Sequence, residues 1–95
     1  MSNVIKQAVN ALNEKISGEG FDGSAKFSIE GEGSVIVDAN GVRASDGDAE
    51  VTLIATADVF QDIMAGDLDP TSAFMSGRLR IEGDMGTAMR LSSVL

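Results

Sequence analysis

Cysteine, histidine and tyrosine are all absent from the 95 residues of the chain. Without cysteine there can be no disulfide, no thiolate zinc site and no cysteine nucleophile, so packing alone must hold the fold together. The same absence is typical of a reducing compartment, and we expect a cytoplasmic location. Acid–base chemistry would fall to carboxylates or lysines, because the usual general bases and metal ligands are missing. The sequence therefore predicts a protein that is not an enzyme and needs no cofactor or metal.

Long apolar runs and positive charge are also scarce. No run of apolar residues is longer than three, which predicts neither a transmembrane helix nor a secretory signal, with the mature chain beginning at Met1. Seven Lys and Arg residues against fifteen Asp and Glu residues give a net charge of -8. This charge repels phosphate backbones and anionic bilayers, so we expect no nucleic-acid partner and no stable membrane anchor.

The chain has the composition of an ordinary globular domain. Apolar residues make up 43% of it and charged residues 23%, well away from the low hydrophobicity and high charge of disordered chains. A chain of this length buries only about 60–65% of the surface that its unfolded form exposes, so the core is modest. We expect residues 1–95 to form a single domain.

Apolar residues near the amino terminus recur at spacings of three and four, which places them on one side of a helix. Asn3 can cap the start of this helix, and Gly18 suits the left-handed turn at its end. The pattern predicts a helix over residues 3–17. Its apolar face consists of Ile5, Ala8, Leu12 and Ile16.

From Ser24 onward the apolar period changes to two, as in a half-buried strand with Ala25, Phe27 and Ile29 on one side. A GEG turn leads into a second strand, SVIVDA, and Asn40-Gly41 is typical of the tight turn that precedes a third strand, VRAS. SDGDA predicts another turn, and EVTLIATA predicts a fourth strand.

Aspartates precede the three helices predicted in the second half of the chain. Asp58 caps VFQDIMA, which ends at Gly66, and Asp69 caps PTSAFMS, which ends at Gly77. RLRIEG forms a fifth strand, and Asp84 caps the last helix. This order predicts an α+β fold in which helices cover one face of a five-stranded, mostly antiparallel sheet.

The charged groups that could carry chemistry or bind ions lie in unsuitable surroundings. Asp46, Asp48 and Glu50 belong to a turn open to solvent, where nothing raises a carboxyl pKa, and their spacing does not fit an EF-hand. Arg78 and Arg80 could clamp an anion, but strand alternation places them on the face away from the core. Solvated charge is the ordinary outcome there.

Four of the five methionines lie in the last third of the chain, interleaved with Phe60 and Phe74. Thioether side chains adapt to irregular shapes, which suits a promiscuous apolar binding site. Plain core packing is the other interpretation, and for any single methionine it is favoured by roughly two to one. The clustering favours ligand binding. The four residues are Met64, Met75, Met85 and Met89.

The run DVFQDIMAGDLDPTSAFMSGRLRIEGDMGTAMRLSSVL resembles the second half of the sterol carrier protein type 2 family. It carries in order a helix, a glycine, an Asp-Pro cap, an Ala-Phe-Met group, a short strand and GDMGTAMRL. The resemblance implies a sheet and helices around an apolar tunnel for a fatty acid, fatty acyl-CoA, phospholipid or sterol, which is carried without chemical change. It assigns the tunnel lining to Phe60, Ile63, Met64, Phe74, Met75, Leu79, Ile81, Met85 and Met89.

A protein-interaction or dimerisation module is the alternative function. In this interpretation the same apolar helices contact a partner, such as a second copy of the chain in a homodimer. A lipid that copurifies with the protein would favour the carrier, whereas a dimer without added mass would favour the module. For the carrier, we expect a bound acyl chain to stabilise the fold by mass action.

Overall fold

The computed structural model describes residues 3–16 and 21–93. Within these ranges the chain forms four helices and five strands, which is the predicted order. In sequence they are α1 (Asn3–Ile16), β1 (Ala25–Glu30), β2 (Gly33–Asp38), β3 (Gly41–Ala44), β4 (Val51–Thr56), α2 (Ala57–Ala65), α3 (Pro70–Met75), β5 (Arg80–Gly83) and α4 (Met85–Ser92).

The strands form one sheet in the order β3-β2-β1-β4-β5, so β3 and β5 are its edges. β1 pairs with β2, β2 with β3, and β4 with β5 in antiparallel fashion, while β1 and β4 run parallel. The predicted mostly antiparallel sheet and the α+β class are confirmed. The parallel pair makes the sheet mixed, which the sequence pattern did not indicate.

Register decides which side chains face the helices, because paired residues project to the same side of a sheet. Phe27 pairs with Val35 on β2 and with Leu53 on β4, and Leu53 in turn pairs with Ile81 on β5. These residues form one row on the helix side. Phe27 also meets Phe60 of α2 edge to face, with ring centroids 5.4 Å apart, a geometry that favours aromatic pairs.

The segment 45–50 crosses the other face of the sheet, because it must carry the chain from the edge strand β3 past β2 and β1 to β4. Asp46 of this segment lies 3.6 Å from the ammonium of Lys26, which faces away from the helices. Ile36, paired with Lys26, is only 2% exposed although it lies on that face. The predicted turn SDGDA is therefore a crossover between parallel strands.

The predicted start of α2 is wrong, and it differs for a local reason. Thr56, not Asp58, caps α2, because the Thr56 hydroxyl accepts a hydrogen bond from the Val59 amide and Asp58 lies inside the first turn. α1 begins at Asn3, which is the predicted start. The predicted helix end at Gly18 lies outside the described residues.

The predicted hairpin between β2 and β3 is confirmed, but its turn lies one residue earlier than expected. Asp38 pairs with Gly41, so Ala39 and Asn40 form the turn. The Asp38 carboxylate accepts a hydrogen bond from the Asn40 amide, a local bond that short polar side chains provide in turns. Gly41 has a φ of 114° and begins the next strand.

The apolar core lies between the helices and the helix side of the sheet. α1 packs on β2, β3 and α2, while α4 packs on β1, β4 and β5. The predicted apolar face of α1 is confirmed, since all four of its residues are buried. None of the described helices combines the length and apolarity needed to cross a bilayer.

Candidate functional site

The nine residues assigned to a lipid tunnel range from fully buried to strongly exposed. Three belong to the core, two are half-buried, and four are exposed. The four exposed residues are also all of the exposed large apolar side chains in the described part of the chain. From the interior outward the nine are Phe60, Ile63 and Leu79, then Met64 and Ile81, then Phe74, Met75, Met85 and Met89.

The three buried members form part of the packed core. Phe60 and Ile63 lie one turn apart on α2 and are 3% and 5% exposed. Leu79 precedes β5, and its amide donates to the Ala73 carbonyl at 3.1 Å, which ties the end of α3 to the sheet. These side chains form a rigid apolar wall, because the side chains of a closely packed core have little room to move.

The two half-buried members lie at the boundary of this core. Ile81 is on the helix side of β5, opposite Leu53. It packs against the core but is only partly buried. Met64 packs against the same core from α2. Because β5 is an edge strand, Ile81 lies at the end of the row of side chains on the helix side of the sheet.

The exposed members lie on the two helices that adjoin β5 in sequence. Phe74 and Met75 end α3 and are 40% and 79% exposed. Met85 and Met89 lie one turn apart on α4 and are 44% and 63% exposed. Single exposed apolar residues are normal on a protein surface, whereas this chain concentrates its largest ones around one strand.

A hydrogen-bonded network sets the orientation of α4. Asp84 accepts the Gly86 amide at 3.1 Å and the Thr87 hydroxyl at 2.7 Å, and that hydroxyl accepts a bond from Arg90 at 3.2 Å. The hydrogen bond from Thr87, with that from the Gly86 amide, holds the pKa of Asp84 below its ordinary value. Thr87 is fully buried, so the network places the methionines of α4 on the exposed side.

Close backbone contact at Gly83 fixes the start of α4 against the sheet. A Cβ at Gly83 would lie 2.5 Å from the Glu50 carbonyl oxygen, and the φ of 108° is one that only glycine adopts readily. The Asp84 amide donates to the same carbonyl at 2.9 Å. Glu50 also exchanges two hydrogen bonds with Ser24, of 2.8 and 2.9 Å.

Two open grooves lie away from the predicted residues. One, of about 450 Å³, runs between α1 and β3 and is lined by Lys6, Val9, Asn10, Val42, Arg43 and Ala44. The other, of about 550 Å³, lies beside the β1–β2 hairpin and Asp46. The sequence pattern did not predict the first groove. The local feature that could have indicated it is the alternation of Val42 and Ala44, both half-buried, with the exposed Arg43.

The charged groups behave as solvated or structural residues. Arg43 forms two hydrogen bonds of 3.0 and 2.9 Å with Asp38, and this contact lowers the pKa of Asp38. Asp46 pairs with Lys26 across the outer face of the sheet. In residues 3–16 and 21–93, no group of three or more acidic side chains is placed to hold a metal ion.

Sequence comparison connects this arrangement to known proteins. A model of the SCP-2 sterol transfer family matches residues 3–95. A hydroxysteroid dehydrogenase-like protein 2 from Xenopus laevis is 45% identical over 47 residues, which is 50% of this chain and 11% of that protein. The peroxisomal multifunctional enzyme type 2 of Mus musculus is 34% identical over 95 residues, covering 97% of this chain and 12% of the enzyme. The chain thus spans only a small part of the curated relatives that it matches.

Structural comparison gives the same fold. The solution structure of a sterol carrier protein-2 from Aedes aegypti, in complex with the C16 fatty acid palmitate, superposes with a TM-score of 0.76. The alignment covers 98% of this chain and 94% of the mosquito protein at 19% sequence identity. At this identity the likeness establishes the fold, including the five-stranded sheet with helices on one side.

Proposed function

Because the chain belongs to the SCP-2 sterol transfer family, we propose that it binds the apolar part of a lipid and releases the lipid chemically unchanged. The ligand classes are those of the sequence prediction: a fatty acid, a fatty acyl-CoA, a phospholipid or a sterol. A fatty acid has the most direct support, since the mosquito protein of the same fold is named as a palmitate complex.

The observation that carries this proposal is the exposure of Met85 and Met89 on a helix whose opposite face is buried. The helix follows β5 directly in sequence, and Ile81 of that strand is only half-buried. An acyl chain placed there would lie along the exposed side of α4 and be contacted by its two unbranched thioethers. Methionine suits this role because it adapts to different apolar shapes.

Hydrophobic burial supplies the binding free energy in this proposal. Each methylene removed from water contributes about 0.8 kcal/mol, so a few buried methylenes are enough for measurable affinity. The protein adds a further gain, because its exposed methionines leave water when the ligand covers them. No acid, base or nucleophile has to act on the lipid.

The polar side chains at this end of the molecule support a non-catalytic function. Asp84, Thr87 and Arg90 are bonded to one another, and Asp84 caps α4. They hold the helix in place, so in residues 21–93 these polar groups have a structural role. The dehydrogenase and multifunctional-enzyme names belong to relatives of which this chain matches about a tenth.

The test replaces the two methionines of α4 by glutamine, which keeps their length and helix propensity but is polar. We expect Met85→Gln with Met89→Gln to weaken palmitate binding in calorimetry by roughly 10-fold to 100-fold, at about 1 kcal/mol per side chain. The fold should be preserved, because both residues are exposed. Unchanged palmitate affinity in this double variant would refute the proposed site.

A matched control addresses the other apolar groove. Val9→Thr with Val42→Thr adds two hydroxyls to the groove between α1 and β3 at nearly constant volume. We expect palmitate affinity to stay within about twofold of the unmodified protein, since surface substitutions away from a site change free energies by at most about 0.5 kcal/mol. Loss of binding in this variant alone would move the ligand to that groove.

The dimerisation module makes a different prediction for the purified protein. Native mass spectrometry should show a monomer with the added mass of a lipid if the chain is a carrier. A dimer without added mass would favour the alternative, in which the exposed residues of α3 and α4 contact a second copy. The cytoplasmic location stays a prediction from the absence of cysteine.

A further inference from the structure

We infer that the edge strand β3 binds an extended peptide segment of a partner protein, which adds a further strand to the sheet. The segment lies in the groove between α1 and β3, the edge groove, and has an acidic residue followed at alternate positions by two apolar residues. This surface is separate from the methionines of α4, because β3 and β5 are opposite edges of the sheet. The edge groove is lined by Lys6, Val9, Asn10, Val42, Arg43 and Ala44.

The hydrogen-bonding pattern shows which backbone groups of β3 face its open edge. The Ser45 amide donates to the Ser34 carbonyl at 3.2 Å, and this pair continues the register in which Ala44 lies opposite Val35. In an antiparallel ladder, pairs that exchange backbone hydrogen bonds alternate with pairs that do not. Val42 and Ala44 therefore belong to pairs that do not exchange them. Their amides and carbonyls point away from β2, toward the edge groove.

The side chains of Val42 and Ala44 point toward the helices. Their partners on β2 are Val37 and Val35, which are fully buried on the helix side of the sheet. Val42 and Ala44 are themselves half-buried against the core. A strand that pairs with β3 places its residues opposite Val42 and Ala44 on the same side, because paired residues share a face. Two apolar side chains of the segment would thus enter the edge groove beside Val9.

Lys6 gives the edge groove a positive charge at one end. Its neighbour Ile5 lies against Gly33, where a Cβ would be 3.5 Å from the Ile5 side chain. Gly33 adjoins the partner of Ser45, so Lys6 belongs to the Ala44 end of the groove. In the part of the chain that the structure describes, Lys6 forms no ion pair with a carboxylate. An acidic residue of the segment can therefore pair with it.

An antiparallel arrangement joins these features into one sequence pattern. The segment then runs from the Ala44 end of β3 toward the Val42 end, so its amino-terminal part lies beside Lys6. The acidic residue comes first there, and the two apolar residues follow at the next alternate positions. The residues between them face the outer side of the sheet, where Arg43 is already bonded to Asp38. Antiparallel pairing is also slightly more stable per residue than parallel pairing.

A peptide suits this edge better than a second copy of the chain or an acyl chain does. Two copies paired symmetrically through Val42 and Ala44 would place their Arg43 residues opposite each other, and like charges at opposed positions are destabilising. Each copy also carries a net charge of -8, which opposes association. An acyl chain would cover the amides of the edge without accepting hydrogen bonds from them, which is unfavourable.

Fluorescence anisotropy with a synthetic peptide tests the inference. The probe is a fluorescein-labelled peptide of sequence Glu-Thr-Val-Thr-Val, and we expect saturable binding to the unmodified protein. Replacing its glutamate by lysine should weaken binding about fivefold, the effect of losing one exposed ion pair. Val42→Pro should weaken binding roughly 10-fold, because it removes one amide of the edge. Proline is tolerated on edge strands where the amide faces solvent, so the fold should be preserved. Without saturable binding of the probe, the inference is wrong.

N-methylation of the probe tests the arrangement without any change in the protein. Methylating both valines blocks the amides that would face β3 and should abolish binding, whereas methylating both threonines should not. Hydrogen exchange provides a second measurement. The amides of Val42 and Ala44 should exchange rapidly in the free protein and slowly with the probe bound, while the Arg43 amide is protected in both states. Equal binding of the two methylated probes, or rapid exchange at Val42 and Ala44 in the complex, would overturn the inference.

A control with the same change in charge separates position from net charge. Lys6→Gln should weaken binding of the probe about fivefold. Arg78→Gln, which precedes β5 at the opposite edge of the sheet, should leave it unchanged. Equal losses in the two variants would show that net charge alone matters and would overturn the inference.

Two further measurements exclude the other occupants. Light scattering should show that the protein stays monomeric at the concentrations used, since a dimer formed through β3 would refute the peptide site. Excess palmitate should leave the probe bound, because the proposed lipid site lies on α4. Displacement of the probe by palmitate would make the edge groove a lipid site and would overturn the inference, whereas a failure to bind palmitate at all would affect only the proposed function.

Discussion

The two edges of the helix layer differ in how completely they are closed. At the β3 edge, α1 buries Ile5, Leu12 and Ile16 on the sheet, and these side chains are branched aliphatics. At the β5 edge, α4 buries Leu91 but leaves two methionines in water, and α3 exposes Phe74 and Met75. The β3 edge has an open groove lined by small, half-buried apolar side chains, whereas the β5 edge carries large apolar side chains that the described part of the chain leaves exposed.

Under the proposed function, residue type should follow the task of each edge. Branched side chains have few rotamers and pack into one arrangement, which suits a permanent core. Methionine is flexible and accepts neighbours of different shape. Stability should therefore depend on the β3 edge, and lipid binding on the β5 edge.

The largest effect is expected when the core under α1 is opened. Leu12 is fully buried, so Leu12→Ala should lower the free energy of unfolding by about 2–5 kcal/mol through lost burial and a cavity. The corresponding change at the other edge, Met89→Ala, should cost no more than about 0.5 kcal/mol. Urea denaturation of both variants checks the contrast, and similar losses would show that the two edges are equally packed.

The second largest loss of stability is expected at Gly83, where the end of β5 contacts the backbone of Glu50. Gly83→Ala should destabilise the protein by about 1–3 kcal/mol, because its Cβ meets the Glu50 carbonyl and its φ is positive. Gly77→Ala also has a positive φ but no atom within 4 Å of the added Cβ. It should cost less, and a thermal melt in which Gly77→Ala is the worse variant would contradict the close contact.

A third comparison concerns the helix cap between the sheet and α2. Thr56→Ala removes the acceptor of the Val59 amide and should cost about 1 kcal/mol. Asp58→Ala leaves that cap intact and should cost only about 0.3–1 kcal/mol from the helix dipole. Denaturation midpoints of the two variants check which residue caps α2. A larger loss in Asp58→Ala than in Thr56→Ala would show that Asp58 is the cap.

The smallest effect is the pH dependence at the start of α4. Asp38 and Asp84 have lowered pKa values in the fold, so their stabilisation is present above the unfolded pKa and disappears as the pH falls through the folded value. Asp84→Asn should remove part of this acid sensitivity. Unfolding curves measured from neutral to acidic pH test this prediction. If the free energy of unfolding depends on pH in the variant as it does in the unmodified protein, the contact between Asp84 and Thr87 is contradicted.

Periodic stretches were the most predictable part of the molecule. The apolar face of α1 and the alternation in β1 and β4 appear in the structure as predicted. Asp69 and Asp84 are helix caps as expected, because a cap depends on amides only two or three residues away. Thr56 was missed because strand and helix follow one another without a break, so either residue could have been the cap.

Sequence periodicity predicts the burial of some of the lipid-site residues but not of others. Phe60, Ile63 and Leu79 follow helix or strand periodicity into the core. Met85 and Met89 have helical spacing too, yet they lie on the exposed side of α4. The deciding contacts of α4 with the strands β1 and β4 join residues far apart in sequence.

The sequence by itself determined the elements, their order, their polarity and the exclusion of cysteine and histidine chemistry, because these depend on residue type and short-range spacing. Tertiary structure alone decided that β4 runs parallel to β1, that residues 45–50 cross the outer face, and that one edge of the helix layer stays open. The physical reason is that strand partners and burial arise from long-range packing, in which each segment has several compatible neighbours and only the assembled core selects one.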